Sequence, residues 1–194
     1  GGNITGMAFD ATPDTTAKNL SLLKEVLPRA TRIAVFWDPS FPGIEPYMEA
    51  VKAVAARIGV RIRAVGPSRP EQLPSALQSL SARLDDGVLV FGSPLFVNHR
   101  VDIVNTMNRK RLPAIYPFRD FVEVGGMMSY GVNQQTLWRR ASVYIDKIFR
   151  GARPGNLPIE QPTKFELVIN LKTAKTLGLT IPQSVLARAD EVIQ

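Results

Sequence analysis

The chain has no cysteine and a single histidine among 194 residues. Absence of cysteine rules out disulfides, thiolate nucleophiles and Cys-based metal sites together, and it suits an oxidising compartment without requiring one. One imidazole means that a Ser-His-Asp hydrolase would need His99 as its base beside a serine such as Ser93. No G-x-S-x-G elbow occurs, however, and a helix-surface position accounts for His99. Metal binding would fall to carboxylates alone, and Asp85-Asp86, just before an apolar run, reads as a turn. Neither Glu71/Asp85 nor Asp120/Glu123 has a partner suited to general acid–base work. Both common phosphate-cradling loops, G-x-x-x-x-G-K-[ST] and G-x-G-x-x-G, are missing. The sequence therefore points to no enzyme, no cofactor and no metal. Its longest apolar runs, such as residues 87–91, are far short of the ~20 residues that cross a bilayer, so no membrane span is expected in this segment.

What is present is the composition of a folded globular chain, with 45% hydrophobic and 21% charged residues. The formal charge is +7, which raises the question of an acidic partner. The basic residues are dispersed: Arg109-Lys110-Arg111 close one helix, Arg139-Arg140 lie inside another, and Arg61 and Arg63 alternate with apolar residues in a strand. Cations at helix carboxy ends complement the helix dipole, and no basic stripe with interleaved aromatics occurs, so nucleic acid is not an expected partner.

From about Thr16 onward, helical periodicity alternates with short runs rich in Val, Ile and Phe, the signature of a parallel sheet flanked by helices. The spacing predicts strands at 32–37, 60–65, 87–91 and 112–116. Helices are predicted over 18–27, 44–58, 70–84 and 96–109, the last with Val97, Val101, Val104 and Met107 as its apolar row. The fold class is thus α/β, an open parallel sheet with flanking helices. After it, Gly125 to Gly131 reads as a glycine-bounded strand crossing between two bodies. A helix over 134–149, an extended stretch over 157–162, a strand over 165–170 and a helix over 171–177 follow, too few for an independent core. No internal repeat or low-complexity segment is found.

In an open parallel sheet, ligands sit outside the carboxy ends of the strands. Three loops there pair an aromatic with a small polar or charged residue: Asp38, Ser40 and Phe41; Ser93 and Phe96; Phe118, Arg119 and Asp120. Together they could enclose a small organic solute. For Phe41, Phe96 and Phe118 a core role and a site role both remain open.

The opening GGNITG, the strand RIAVFWDPS, the segment LPAIYPFRDFVEVGGMMSYG and above all the tail QPTKFELVINLKTAKTLGLTIPQSVLARADEVI resemble bacterial ABC-transporter substrate-binding proteins of the family that includes tryptophan and tyrosine binders. The resemblance implies a type I periplasmic-binding-protein fold, in which two α/β lobes joined by a hinge close on a solute. It implies a periplasmic or lipid-anchored extracytoplasmic setting and an ABC permease as partner. On this reading the chain is the carboxy-terminal part of a longer protein. Residues 1–9 are a hinge strand at the end of a first lobe, 10–120 the second lobe, and 121–194 a hinge crossing with elements packing across the lobes. Many relatives have Asn where Asp38 stands. Asp120 would meet a ligand ammonium and Arg119 a carboxylate, unless they pair with each other. The implied function is solute binding for an importer, with an aromatic or branched amino acid as solute. The alternative is a ligand-sensing effector domain of a transcriptional regulator. An uncovered apolar face would also favour self-association.

Overall fold

The computed structural model describes residues 2–8, 12–162 and 164–194. The expected boundary between hinge strand and lobe, at residues 9–10, lies outside the described residues. In chain order the elements are α1 (Pro13–Val26), β1 (Arg32–Phe36), α2 (Glu45–Arg57), β2 (Arg61–Val65), α3 (Leu73–Ser79), β3 (Gly87–Val90), α4 (Pro94–Asn98), α5 (Arg100–Arg109), β4 (Ala114–Tyr116), α6 (Arg119–Glu123), β5 (Met128–Val132), α7 (Gln134–Phe149), β6 (Phe165–Asn170), α8 (Leu171–Thr176), α9 (Gln183–Leu186) and β7 (Glu191–Ile193).

These strands form one seven-stranded sheet in the order β2-β1-β3-β4-β5-β6-β7. Pairing is parallel from β2 through β5, β6 runs antiparallel to β5, and β7 lies parallel to β6. Period-2 alternation divides the core between the two faces. Ile33 and Val35 of β1 pack with Leu20, Leu23, Val51, Ile181 and Val185 on one side. Ala34 and Phe36 pack with Leu77, Phe96, Ile103, Met107 and Phe121 on the other. The result is a three-layer α/β fold whose strand order reverses direction at β1/β3, where the loops after those strands diverge and leave a crevice.

Three expectations change. The predicted helix over 70–84 stops at Ser79, and Leu84, the last residue of the predicted span, is 54% exposed. The cause is remote in sequence: Lys110 Nζ donates to the carbonyls of Leu77, Gln78 and Leu80 at 3.0, 2.7 and 2.6 Å, capping the helix there. The helix predicted over 96–109 is two, broken at His99, whose ψ of 20° lies outside the helical range. After the break Ile103 turns inward, while Val101 is 48% exposed. Finally, the strand expected to cross between bodies is β5, a member of the same sheet, and β6 and β7 extend that sheet further. Helices α8 and α9 bring Ala174 and Val185 into the shared core.

Local signals otherwise act as expected. Gly59 takes φ +68° after α2, where a side chain would be strained. Asp86 accepts the backbone N–H groups of Thr31 and Arg32 at 2.8 and 2.9 Å and the Arg32 guanidinium at 2.6 Å, fixing the start of β1 against the turn before β3. That guanidinium hydrogen bond, helped by the backbone donors, lowers the Asp86 pKa to about 2. Asp85 is buried and takes the neighbouring cation Arg63, with Nε at 2.8 Å. Among the described residues no helix is long and apolar enough to cross a membrane.

Candidate functional site

At the carboxy edge of β1, β3 and β4 lies a cavity of about 340 Å³. Its floor is Val90, Phe91 and Ser93, all buried, where β3 runs into α4. Phe41, Ile44 and Tyr47 come from the loop after β1 and the start of α2; Pro117 and Phe118 follow β4; Tyr130 belongs to β5. Thr16 and Asn19 project from α1, and Gln134 and Trp138 from α7 form the outer lip. Six of these residues are aromatic, and none is Asp, Glu, Lys, Arg or His. Exposure among them runs from Val90 at 1% to Trp138 at 66%. The site is therefore a slot with an apolar, aromatic interior and a wet mouth, of a size that admits one small organic molecule.

Of the sequence-derived candidates, the cavity gathers Phe41, Ser93 and Phe118. Ser93 Oγ accepts the Phe96 N–H at 3.3 Å and caps α4. Phe96 itself is fully buried, its ring stacked on Phe36 with centroids 4.6 Å apart, so it belongs to the core. Asp38 and Ser40 lie outside the lining and bond each other. Asp38 Oδ1 accepts the Ser40 N–H at 3.0 Å and the Ser40 hydroxyl at 2.6 Å, an Asx turn that shapes the loop presenting Phe41.

Arg119 and Asp120 are also outside the lining. Nor do they form the pair considered from sequence. Arg119 donates to Glu123 at 2.9 Å and Glu191 at 2.8 Å, with Glu166 at 3.6 Å, tying α6 to β6 and β7. Partial burial works against its charge, but the hydrogen bonds to Glu123 and Glu191 outweigh it and the Arg119 pKa is raised. His99 faces a separate groove between α3 and α5, with Nδ1 3.8 Å from Asp102, while Ser93 faces the aromatic slot.

Sequence reasoning missed Thr16, Asn19, Tyr47, Tyr130, Gln134 and Trp138. A signal existed for the first two. Positions 16 and 19 fall in phase with Leu20 and Leu23, the apolar stripe of α1, so two polar residues interrupt a core-facing row. Tyr130 also accepts a hydrogen bond from Lys18 Nζ at 2.9 Å and stacks near Phe165.

Residues 1–193 match the family described as ABC transporter substrate binding protein. The chain belongs to that family. Its members are substrate-binding proteins and not enzymes. A tyrosine-binding protein of Clostridioides difficile (strain R20291) is 22% identical over 185 residues, covering 92% of this chain and 51% of that protein. Among solved structures, a conserved domain protein from Vibrio cholerae superposes with TM-score 0.85 at 26% identity, covering 98% of this chain and 63% of the other. An ABC domain in complex with L-Trp from Streptococcus pneumonia superposes with TM-score 0.81 at 24% identity, covering 92% and 62%. The chain thus spans about half the length of the curated relative and under two thirds of these solved chains. The shared fold is a lobe of the type I periplasmic-binding-protein class.

Proposed function

We propose that this chain supplies one lobe of the solute receptor of an ABC importer, and that its aromatic slot receives an aromatic amino acid. The observation that carries this reading is the slot itself: six aromatic side chains line about 340 Å³, and none of the described lining residues is charged. The relatives named for tyrosine binding and for an L-Trp complex support it. In the full protein a second lobe closes over the mouth, hinging about residues 2–8 and 157–162. These two stretches already touch through the Met7–Glu160 bridge and the Thr5 hydroxyl on the Leu157 carbonyl at 2.9 Å. Closure stabilised by ligand contacts to both lobes is the state a permease would read, in an extracytoplasmic setting. The outward apolar residues of α7, Trp138, Ile145 and Phe149, mark the side on which the second lobe packs.

The energetics fit a shared site. A tyrosine or tryptophan side chain presents roughly 150–250 Å² of surface, worth about 4–6 kcal/mol when wholly buried. One wall covers about half of it, and association costs consume much of that gain, so this lobe alone binds at millimolar concentration or more weakly. Calorimetry with L-Tyr, L-Trp, L-Phe, L-Leu and a sugar, on this chain and on the longest native protein that contains it, tests the reading. Expected is micromolar or tighter binding of an aromatic amino acid by the longer protein alone. Equal affinity in both, or binding of the sugar instead, overturns it.

A further inference from the structure

Arginines dispersed along the sequence are gathered by the fold at one pole. In a parallel α/β sheet the strand starts, and the helix ends that precede them, lie on one edge, opposite the carboxy edge that carries the slot. Arg29 stands in the turn before β1, Arg57 ends α2, Arg61 starts β2, Arg83 lies in the turn before β3, and Arg109 and Arg111 close α5 ahead of β4. All six are exposed. The carboxylates of the same turns are already engaged, Asp85 by Arg63, Asp86 by Arg32 and Glu25 by Arg188. Among the described residues none of the six guanidinium groups has an ion-pair partner, an uncompensated charge comparable with the formal +7 of the whole chain.

Two further observations separate this pole from an ordinary solvated surface. A cleft of about 420 Å³ opens between Arg29 and Arg111, walled by Leu27, Pro28, Ala82 and Leu179. The turn that supplies Ala82 also carries Arg83 and Leu84, and Leu84 is 54% exposed. Arg111, for its part, takes φ +52°, the one non-glycine residue with a positive φ among the described residues. Glycine would hold that backbone without strain, so the turn gives no reason for an arginine and the rim of the cleft gives one.

Cations around an exposed apolar surface fit a partner that is anionic outside and apolar beneath. A nucleic acid would meet the arginines but asks for rings to stack on, and the exposed large aromatics, Trp138 and Phe149, both belong to α7. A bilayer containing anionic phospholipid offers phosphate to the arginines and, just below, hydrocarbon to Leu84 and the cleft. We infer that this pole is a docking surface for an anionic phospholipid membrane. The contact is peripheral, and the slot, on the opposite edge, faces away from the bilayer and stays open to solute. None of this depends on which solute the slot takes.

Sedimentation of the longest native protein containing this chain tests the inference, with vesicles of phosphatidylcholine alone and with vesicles carrying about 30% phosphatidylglycerol. Any membrane attachment that ignores lipid charge appears with both and cancels in the comparison. Expected at about 0.1 M salt is a preference for the anionic vesicles of about 100-fold or more, falling steeply towards about 1 M as the charges are screened. Arg29→Gln, Arg83→Gln and Arg111→Gln together should lower that preference by about 30-fold, roughly 3-fold for each cation removed. The same loss of charge at Arg69, Arg139 and Arg153, exposed residues away from the pole, should change it by less than about 3-fold. Arg111→Gly, which relieves the backbone, should weaken the preference by about 3-fold with the thermal midpoint held within about 3 °C. Equal partition onto both vesicle types overturns the inference. So does an undiminished preference in both the triple variant and Arg111→Gly, or an equal loss in the control variant, which reduces the effect to net charge. Tighter binding to a duplex oligonucleotide than to the anionic vesicles assigns the pole to nucleic acid and overturns it too.

Discussion

Gly131→Ala tests how closely the end of β5 is built against the slot. An ideal Cβ at Gly131 would lie 1.8 Å from the Pro117 carbonyl oxygen and 3.0 Å from its carbon. Both are backbone atoms, so no rotamer change relieves the overlap; the strand end or the Pro117 peptide must move by more than 1 Å. Neither is free to do so. Pro117 sits between Tyr116 and Phe118, both buried, and Gly131 is paired with Glu166 on the other side. Forced overpacking of this kind costs about 1–3 kcal/mol where side chains absorb it, and a backbone clash belongs at the upper limit. The expected loss is about 3 kcal/mol, read as a lower urea midpoint with unchanged slope and a thermal midpoint lower by about 6–12 °C. Pro117 and Phe118 line the slot, so aromatic-solute affinity should fall in the same variant. A stability change below about 1 kcal/mol would refute the close approach on which the argument depends.

Asp86→Asn keeps the shape of the cap on β1 and removes its charge. The Asp86 pKa is lowered to about 2, so its contribution is present above the unfolded carboxylate value near 3.9 and is lost as pH falls through about 2. With Arg32 38% exposed and screened, a loss of about 1–2 kcal/mol at pH 7 is expected, shrinking towards zero at pH 2. Urea titrations at both pH values check it, and a pH-independent difference argues against the charge. Phe96→Ala should cost about 3–5 kcal/mol as a core truncation, whereas Phe41→Ala, half-buried at the slot, should leave stability within about 1 kcal/mol and weaken aromatic binding. The chain on its own should associate with rising concentration through the outward face of α7. Light scattering on the parent and on Ile145→Lys with Phe149→Lys should show that association and its loss, and a strict monomer at high concentration counts against it.

The sequence carried those parts of the fold whose causes are local. The strand over 165–170 and the helix over 134–149 have their expected bounds, because a short apolar β-branched run and an uninterrupted helical period each decide their own state. What it hid was set from a distance. Lys110 ends α3 from about thirty residues away, and β7 forms only by pairing with β6, since Glu191-Val192-Ile193 is too short to announce a strand. The slot was half legible for the same reason. Phe41, Ser93 and Phe118 follow strand ends, where topology puts ligands, but Tyr130 arrives on β5, whose place beside β4 depends on the complete strand order, and Trp138 on the helix that follows it.

Charge was the least legible property, and its actual arrangement explains the character of the slot. Arg119 and Asp38 looked like ligand anchors because each follows a strand in the right place. In the folded chain each is already engaged, Arg119 by three carboxylates from α6, β6 and β7, and Asp38 by Ser40 of its own loop. A guanidinium held by three carboxylates, of which Glu166 is largely buried, cannot turn towards a solute without giving up all three contacts and leaving the Glu166 charge unanswered. The charges near the strand ends therefore fix the loops, and the surface those loops present to a solute is left to rings and neutral dipoles. On the proposed reading, recognition by this lobe then comes from shape and from contact with those rings.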